Sequence, residues 1–176
     1  MMTIDLVAVK EIFKVKIYLQ ERAQSYINIL GDYNAIYIRR GDKSTEIEIL
    51  PIDKIVNYTD LKQHNTTLLV QTDDYNIIDD VKKCIPNCNV KTTCLKHNIG
   101  SSHAEIQKWK DEQRKSETEK LIVEMLVFAK AKRAWSDHRS NVGRFHKLYS
   151  YDTTFLYPLD KSNYTLDTLI KPCYYW

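Results

Sequence analysis

The sequence predicts an α/β domain, a parallel sheet with helices on both faces. Three observations predict it. Short apolar β-rich runs alternate with stretches of helical periodicity through most of the chain. The chain has 176 residues, the length of one domain. Three polar clusters, RRGDK, TDD and SDHRSN, each follow an expected strand, where parallel sheets bind their ligands.

A helix comes first. Ile12, Val15, Leu19, Ala23, Ile27 and Leu30 recur at threes and fours across the first thirty residues. Gly31-Asp32 stops it. Residues 1–32 thus form a helical segment packed on the domain that residues 33–176 build. NAIYI is a short buried strand. PIDKIVNYTDLKQ is a helix with Pro51 in its first turn. TTLLVQT is a second strand. DDYNIIDDVKKCIP is a helix, capped by an aspartate and ended near Pro86. CNVKTTC is a third strand.

Two capping boxes follow, Ser102 with Glu105 and Ser116 with Glu119. The second opens KLIVEMLVFAKAKRAW, which starts as a helix and ends as a strand. SNVGRFHKLYS begins another helix, and TTFLYPL is the last strand. No internal repeat or low-complexity linker interrupts the order.

Composition narrows the function classes. Apolar residues make up 43% and charged residues 28%, an ordinary globular balance. A net charge of +3 does not mark a nucleic-acid or membrane-surface protein. No apolar run approaches the ~20 residues of a membrane span. The N-terminal stretch carries Asp5, Lys10, Glu11 and Lys14 and lacks the apolar core of a signal peptide. The expected compartment is the cytoplasm, with the Golgi lumen expected only of a longer precursor. The sequons at Asn57, Asn65 and Asn163 matter only in that second case. Cys84, Cys88, Cys94 and His97 are spaced too loosely for a structural zinc site, so buried free thiols are expected and no metal. The Walker, dinucleotide and nucleophile-elbow signatures are absent.

The clusters carry the chemistry. Arg39 and Arg40 are adjacent at a strand end, so their side chains start on opposite faces of the sheet. One can enter a cleft and offer its fork of donors to a phosphate. The alternative is a structural network with Asp42, Glu46 or Glu48. Arg40-Gly41-Asp42 also spells an adhesion tripeptide, but it directly follows a buried strand. Asp73 and Asp74 are candidates for binding a base, ribose hydroxyls or, more weakly, a metal, and the alternative for one of them is a helix N-cap. Ser140 and Asn141 open a helix whose N–H groups suit an anion, with Arg144 one turn on and Gly143 permitting a close approach. The alternative there is a capped helix with a surface arginine. His138 and His146 have no acid at convincing spacing in the sequence and read as structural or surface histidines.

In order and spacing, YIRRGDKSTE, QTDD and RSNVGRF resemble the donor-binding half of the α1,6-fucosyltransferase family. That family includes the core N-glycan and the chitooligosaccharide fucosyltransferases. Its motifs are His-x-Arg-Arg-x-Asp-Lys followed by a glutamate, a strand ending in Thr-Asp-Asp, and Ser-Ser-Asn/Gln-Val-x-Arg. The similarity runs from Ala35 to the terminal KPCYYW.

The resemblance implies a single Rossmann-like, GT-B-type domain that binds GDP-fucose. It implies transfer of fucose to a glycan hydroxyl with inversion and without a metal or other cofactor. Arg39 would grip the β-phosphate and stabilise the leaving GDP. Arg40, Asp42 and Lys43 would shape the same loop, and Glu46 would be the acceptor-side base. Asp73, Asp74 and Glu124 would lie near the guanosine. Ser140 and Asn141 would bind phosphate, supported by Arg144. The implied partners are a GDP-sugar, a glycan acceptor, and an acceptor-binding domain or a second copy of the chain. A non-catalytic module that only binds GDP or a GDP-sugar is the alternative. Tyr37 stands where the family has histidine, and Arg139 stands where it has the first serine.

Overall fold

A computed structural model describes residues 13–42, 49–57, 59, 61–63, 65–100, 102–137, 140–149 and 155–158. Expectations for Ile12, Lys43, Glu46, Glu48, His138, Arg139 and Asn163 lie outside these residues.

The order of elements is α1 (Ile17–Leu30), β1 (Tyr33–Ile38), α2 (Ile52–Asn57), a 3-10 turn (Leu61–Gln63), β2 (Thr67–Thr72) and α3 (Ile77–Cys84). Then come β3 (Asn89–Thr92), α4 (His103–Ile106), α5 (Asp111–Phe128), β4 (Arg133–Ser136), α6 (Asn141–Tyr149) and β5 (Phe155–Pro158). The sheet is five-stranded in the order β3-β2-β1-β4-β5. Every pairing is parallel. This is the doubly wound arrangement that alternating strands and helices dictate, because parallel neighbours need a crossover between them.

The two faces follow the period of two along each strand. Ile36, Ile38, Leu68, Val70 and Trp135 point to one side and pack with Ile55, Val56, Ile78 and Val81 of α2 and α3. Tyr33, Ala35, Tyr37, Leu69 and Ala134 point to the other. There they meet Leu19 and Ala23 of α1 and Val123, Val127 and Phe128 of α5. Fully burying a side chain such as Phe128 or Ile36 is worth about 1.5–3 kcal/mol. The Tyr33 hydroxyl donates to the Val127 carbonyl at 2.6 Å and ties β1 to α5. Tyr18 donates to Glu119 at 2.6 Å and ties α1 to the same helix.

Several boundaries differ from the sequence reading. α1 starts at Ile17, with Lys16 at its cap, so Val15 precedes the helix. It ends where expected, at Gly31 with φ 65°, a conformation that glycine adopts without strain. The helix expected after Pro51 breaks after Asn57 and resumes only as the 3-10 turn. Pro51 itself lies before the helix, its carbonyl accepting from Ile55 N–H at 3.0 Å. Ser102 and Glu105 form their box, with Glu105 N–H donating to Ser102 Oγ at 3.2 Å. Ser116 does not cap anything. α5 begins five residues earlier, and Asp111 and Glu112 place negative charge on its first turn, where the helix dipole favours it.

Candidate functional site

In the strand order the chain reverses direction of growth between β1 and β4, which makes that boundary the switch point of the sheet. Because all strands are parallel, the segments after Ile38, Thr72 and Ser136 emerge at one edge. The three polar clusters therefore do converge.

Arg39 continues the face of Tyr37, and Arg40 turns to the other. Arg40 Nη2 donates to the Leu50 carbonyl at 3.0 Å, away from the switch point. Arg39 is held by two carboxylates. Its Nη2 meets Asp42 Oδ1 at 2.9 Å, and its Nη1 pairs with Asp73 Oδ2. Asp73 also accepts the backbone N–H of Arg40 at 2.7 Å through Oδ1. One aspartate thus fixes both the guanidinium and the backbone at the end of β1. The Arg39–Asp73 pair is largely out of solvent, with side-chain exposures of 16% and 11%, while Asp42 is 31% exposed. The geometry of the Arg39–Asp73 pair is consequently firmer than that of a surface pair.

Asp74 does something else. Its N–H donates to Thr72 Oγ1 at 3.1 Å, and its carboxylate accepts Asn76 N–H at 2.9 Å, shaping the turn into α3. The segment after β3 crosses over this turn. Tyr75 N–H donates to the Asn98 carbonyl at 2.8 Å, and Gly100 N–H to the Asp73 carbonyl at 2.9 Å. Gly100 has φ 102°, and a Cβ there would fall 2.7 Å from Gly41 Cα. The two glycines let the loops after β1 and β3 touch through their backbones.

The third cluster is built around the start of α6. The Ser140 hydroxyl donates to the Asp137 carbonyl at 3.1 Å and accepts Gly143 N–H at 3.0 Å, the bond pattern of an N-cap. Gly143 is the price of that packing, since a Cβ on it would stand 1.9 Å from the Asp137 carbonyl oxygen. The close approach is to the end of β4. The N–H groups of Asn141 and Val142 have no partner among the described residues. His146 is buried, stacked on Phe128 at 3.8 Å and bonded through Nδ1 to Ser136 Oγ at 3.2 Å, in keeping with a structural role.

These elements wall a cleft of about 380 Å³. Arg39, Asp73, Glu124, Ser140 and Asn141 line it. Arg40, Asp42, Asp74 and Arg144 do not line it. Tyr37, Gln71, Trp109 and Lys120 also line it, and sequence reasoning missed all four as site residues. Tyr37 had a signal, its two-residue offset from Arg39 on the same strand face. Gln71, the β2 register partner of Tyr37, shares that signal, while Trp109 and Lys120 depend on the path of the turn before α5 and on the rotation of α5.

The cleft's electrostatics are mixed. Lys120 Nζ lies 4.0 Å from both Glu117 and Glu124. Burial raises the Glu124 carboxyl above its ordinary range, while the Thr93 hydroxyl and Lys120 pull it back. Burial likewise pushes up the Tyr37 phenol, against the pull of Arg39 and the Ser140 hydroxyl. Tyr37 is therefore a protonated donor beside the cap of α6. Burial moves the Cys94 thiol up to about 11, as befits an unreactive core cysteine. No disulfide joins Cys84, Cys88 or Cys94 to another described residue. Among the described residues no group of three or more His, Cys, Asp or Glu side chains could hold a metal ion. None of the described helices is long and apolar enough to cross a membrane.

A guanidinium and an open helix N-terminus on one cleft make an arrangement for an anion. The class that fold and cleft define is a Rossmann-like α/β domain with its cleft at the switch point. No family model matches the chain, and no curated protein matches it by sequence. Among solved structures it is similar to POFUT1 in complex with GDP, with a TM-score of 0.53 and 9% identity over 82% of this chain and 47% of that one. It is similar also to the apo form of POFUT1, with a TM-score of 0.50 and 10% identity over 81% of this chain and 46% of that one. The fold is thus similar to part of that of POFUT1, and the chain spans about half the length of the structures it matches.

Proposed function

We propose that this chain is the donor-binding domain of a GDP-sugar-dependent glycosyltransferase, with fucose as the sugar. The observation that carries the reading is Arg39 and the open first turn of α6 on one cleft at the switch point. Arg39 would meet the β-phosphate. The Ser140 hydroxyl is committed to Asp137 and Gly143, so Asn141 and Val142 N–H would meet the phosphate oxygens. Such preorganised donors stabilise a leaving diphosphate as negative charge develops on it, and they do so without a cation. The motif order supports the α1,6 family type. Inversion requires an in-line acceptor hydroxyl and a carboxylate base, the role the resemblance gives to Glu46. POFUT1 in complex with GDP supports the nucleotide part of the reading. The glycan acceptor and whatever domain presents it would come from outside this domain.

A second reading is a module that binds GDP or a GDP-sugar without turnover. Tyr37 in the family's histidine position favours it, as does the double carboxylate hold on Arg39.

The test is thermal stabilisation by GDP and GDP-fucose in the presence of EDTA, for the wild type and Arg39→Ala. A ligand at 100 times its Kd adds about 2.7 kcal/mol to stability. The expected result is a shift in the wild type that Arg39→Ala abolishes. No shift at millimolar GDP overturns both readings, and a shift that EDTA removes overturns the metal-free mechanism. Release of fucose from GDP-fucose separates the enzyme from the module.

A further inference from the structure

We propose that Trp109 is the stacking platform for the nucleobase, an inference that rests on the GDP-sugar reading. The phosphate-binding groups stand at the β1–β4 end of the cleft. On the segment from α4 into α5, the wall is made of Ile106, Trp109 and Leu121. Trp109 is half-buried yet packs against neither hydrophobic core cluster. It makes no ring contact and its indole N–H has no hydrogen-bond partner among the described residues. A large aromatic side chain that contributes to no core keeps a ring face available to a ligand.

The other aromatic on the cleft, Tyr37, cannot serve. It is buried and packs edge-on to His146 at 5.1 Å. Trp109, by contrast, is mounted on a braced turn. Its N–H donates to the Ile106 carbonyl at 3.2 Å, and Lys108 N–H to the Glu105 carbonyl at 3.0 Å. Arg114 Nη2 donates to the Gln107 carbonyl at 2.8 Å, pinning the turn to the first turns of α5. The Ser102–Glu105 box closes its other end. A fixed indole flanked by apolar side chains offers a flat base the surface it stacks on. Glu117 and Glu124 line the same cleft and would supply acceptors for base N–H groups.

The test compares binding of GDP and of inorganic pyrophosphate to wild type, Trp109→Ala and Trp109→Phe. Trp109→Ala should weaken GDP about tenfold and leave pyrophosphate unchanged, and Trp109→Phe should restore most of the loss. GDP should also quench the tryptophan emission of the wild type, and that quench should disappear in Trp109→Phe although GDP still binds. Equal GDP affinity in wild type and Trp109→Ala overturns the inference and leaves the nucleotide reading standing. A loss confined to GDP-fucose, with GDP unaffected, overturns it by assigning Trp109 to the sugar. A wild type that binds neither GDP nor pyrophosphate overturns the underlying reading itself. Should Trp109→Ala fold poorly, the quench and the Trp109→Phe comparison decide alone.

Discussion

Gly143 lies so close to Asp137 that a Cβ on it would stand 1.9 Å from the Asp137 carbonyl oxygen and 3.0 Å from Ser140 Oγ. The neighbour is backbone at the end of a central strand, so it cannot swing aside. Gly143→Ala should therefore cost about 1–3 kcal/mol or more in urea unfolding. It should also disturb the first turn of α6 and weaken any anion bound there. Gly31→Ala is the control, because nothing lies within 4 Å and only its φ of 65° is strained. It should cost about 1–2 kcal/mol and leave ligand binding alone. Equal effects on binding in the two variants would count against the packing argument.

Asp73 serves two donors, so its variants should separate. Asp73→Ala leaves the Arg40 N–H without its acceptor and removes one charge partner of Arg39. A stability loss of about 1–3 kcal/mol is expected. Asp73→Asn keeps an oxygen for the N–H and removes only the charge, so its loss should be smaller. With one negative charge gone from the cleft, Asp73→Asn should bind GDP more tightly than wild type at low salt, and the gain should shrink as salt rises. A binding titration at two ionic strengths checks it.

Glu124 predicts a pH dependence. Its carboxyl is raised above the ordinary value of 4.5, chiefly by burial. The folded state therefore holds that proton more tightly than the unfolded chain. The stabilisation this gives is fully present below the unfolded value and is lost as pH rises through the folded one. Glu124→Gln mimics the protonated form. Its stability relative to wild type should be near level in acid and increasingly favourable as pH rises towards neutral. Chemical denaturation across pH 4 to 7.5, roughly the span in which carboxyls and their perturbed forms titrate, measures it. A difference that does not change with pH would overturn the burial argument.

Much of the frame was legible because it follows from local rules. Alternating strands and helices force a parallel sheet, and a parallel sheet sends every strand's end to one edge. The period of two along β1 was enough to send Arg39 and Arg40 apart. Partners across the sheet were not legible. Asp73 is 34 positions from Arg39, and nothing local says that its carboxylate turns to β1 instead of capping α3. Ser116 with Glu119 satisfied the capping pattern but sits inside α5, because the acidic pair at Asp111 and Glu112 gives the helix an earlier start. Lys120 reaches the cleft through the rotation of that helix, which only its contacts with α1 and the sheet determine, and Trp109 through the path of the turn before it.

The touch between Gly41 and Gly100 bears on the letters Arg40-Gly41-Asp42. Gly41 is backed by another loop's backbone. Arg40 reaches inward to the Leu50 carbonyl, and Asp42 is turned to Arg39. A receptor that reads this tripeptide needs it extended and presented outward. Here Arg40 and Asp42 are bonded within the protein and Gly41 is backed by a loop, which is not that presentation.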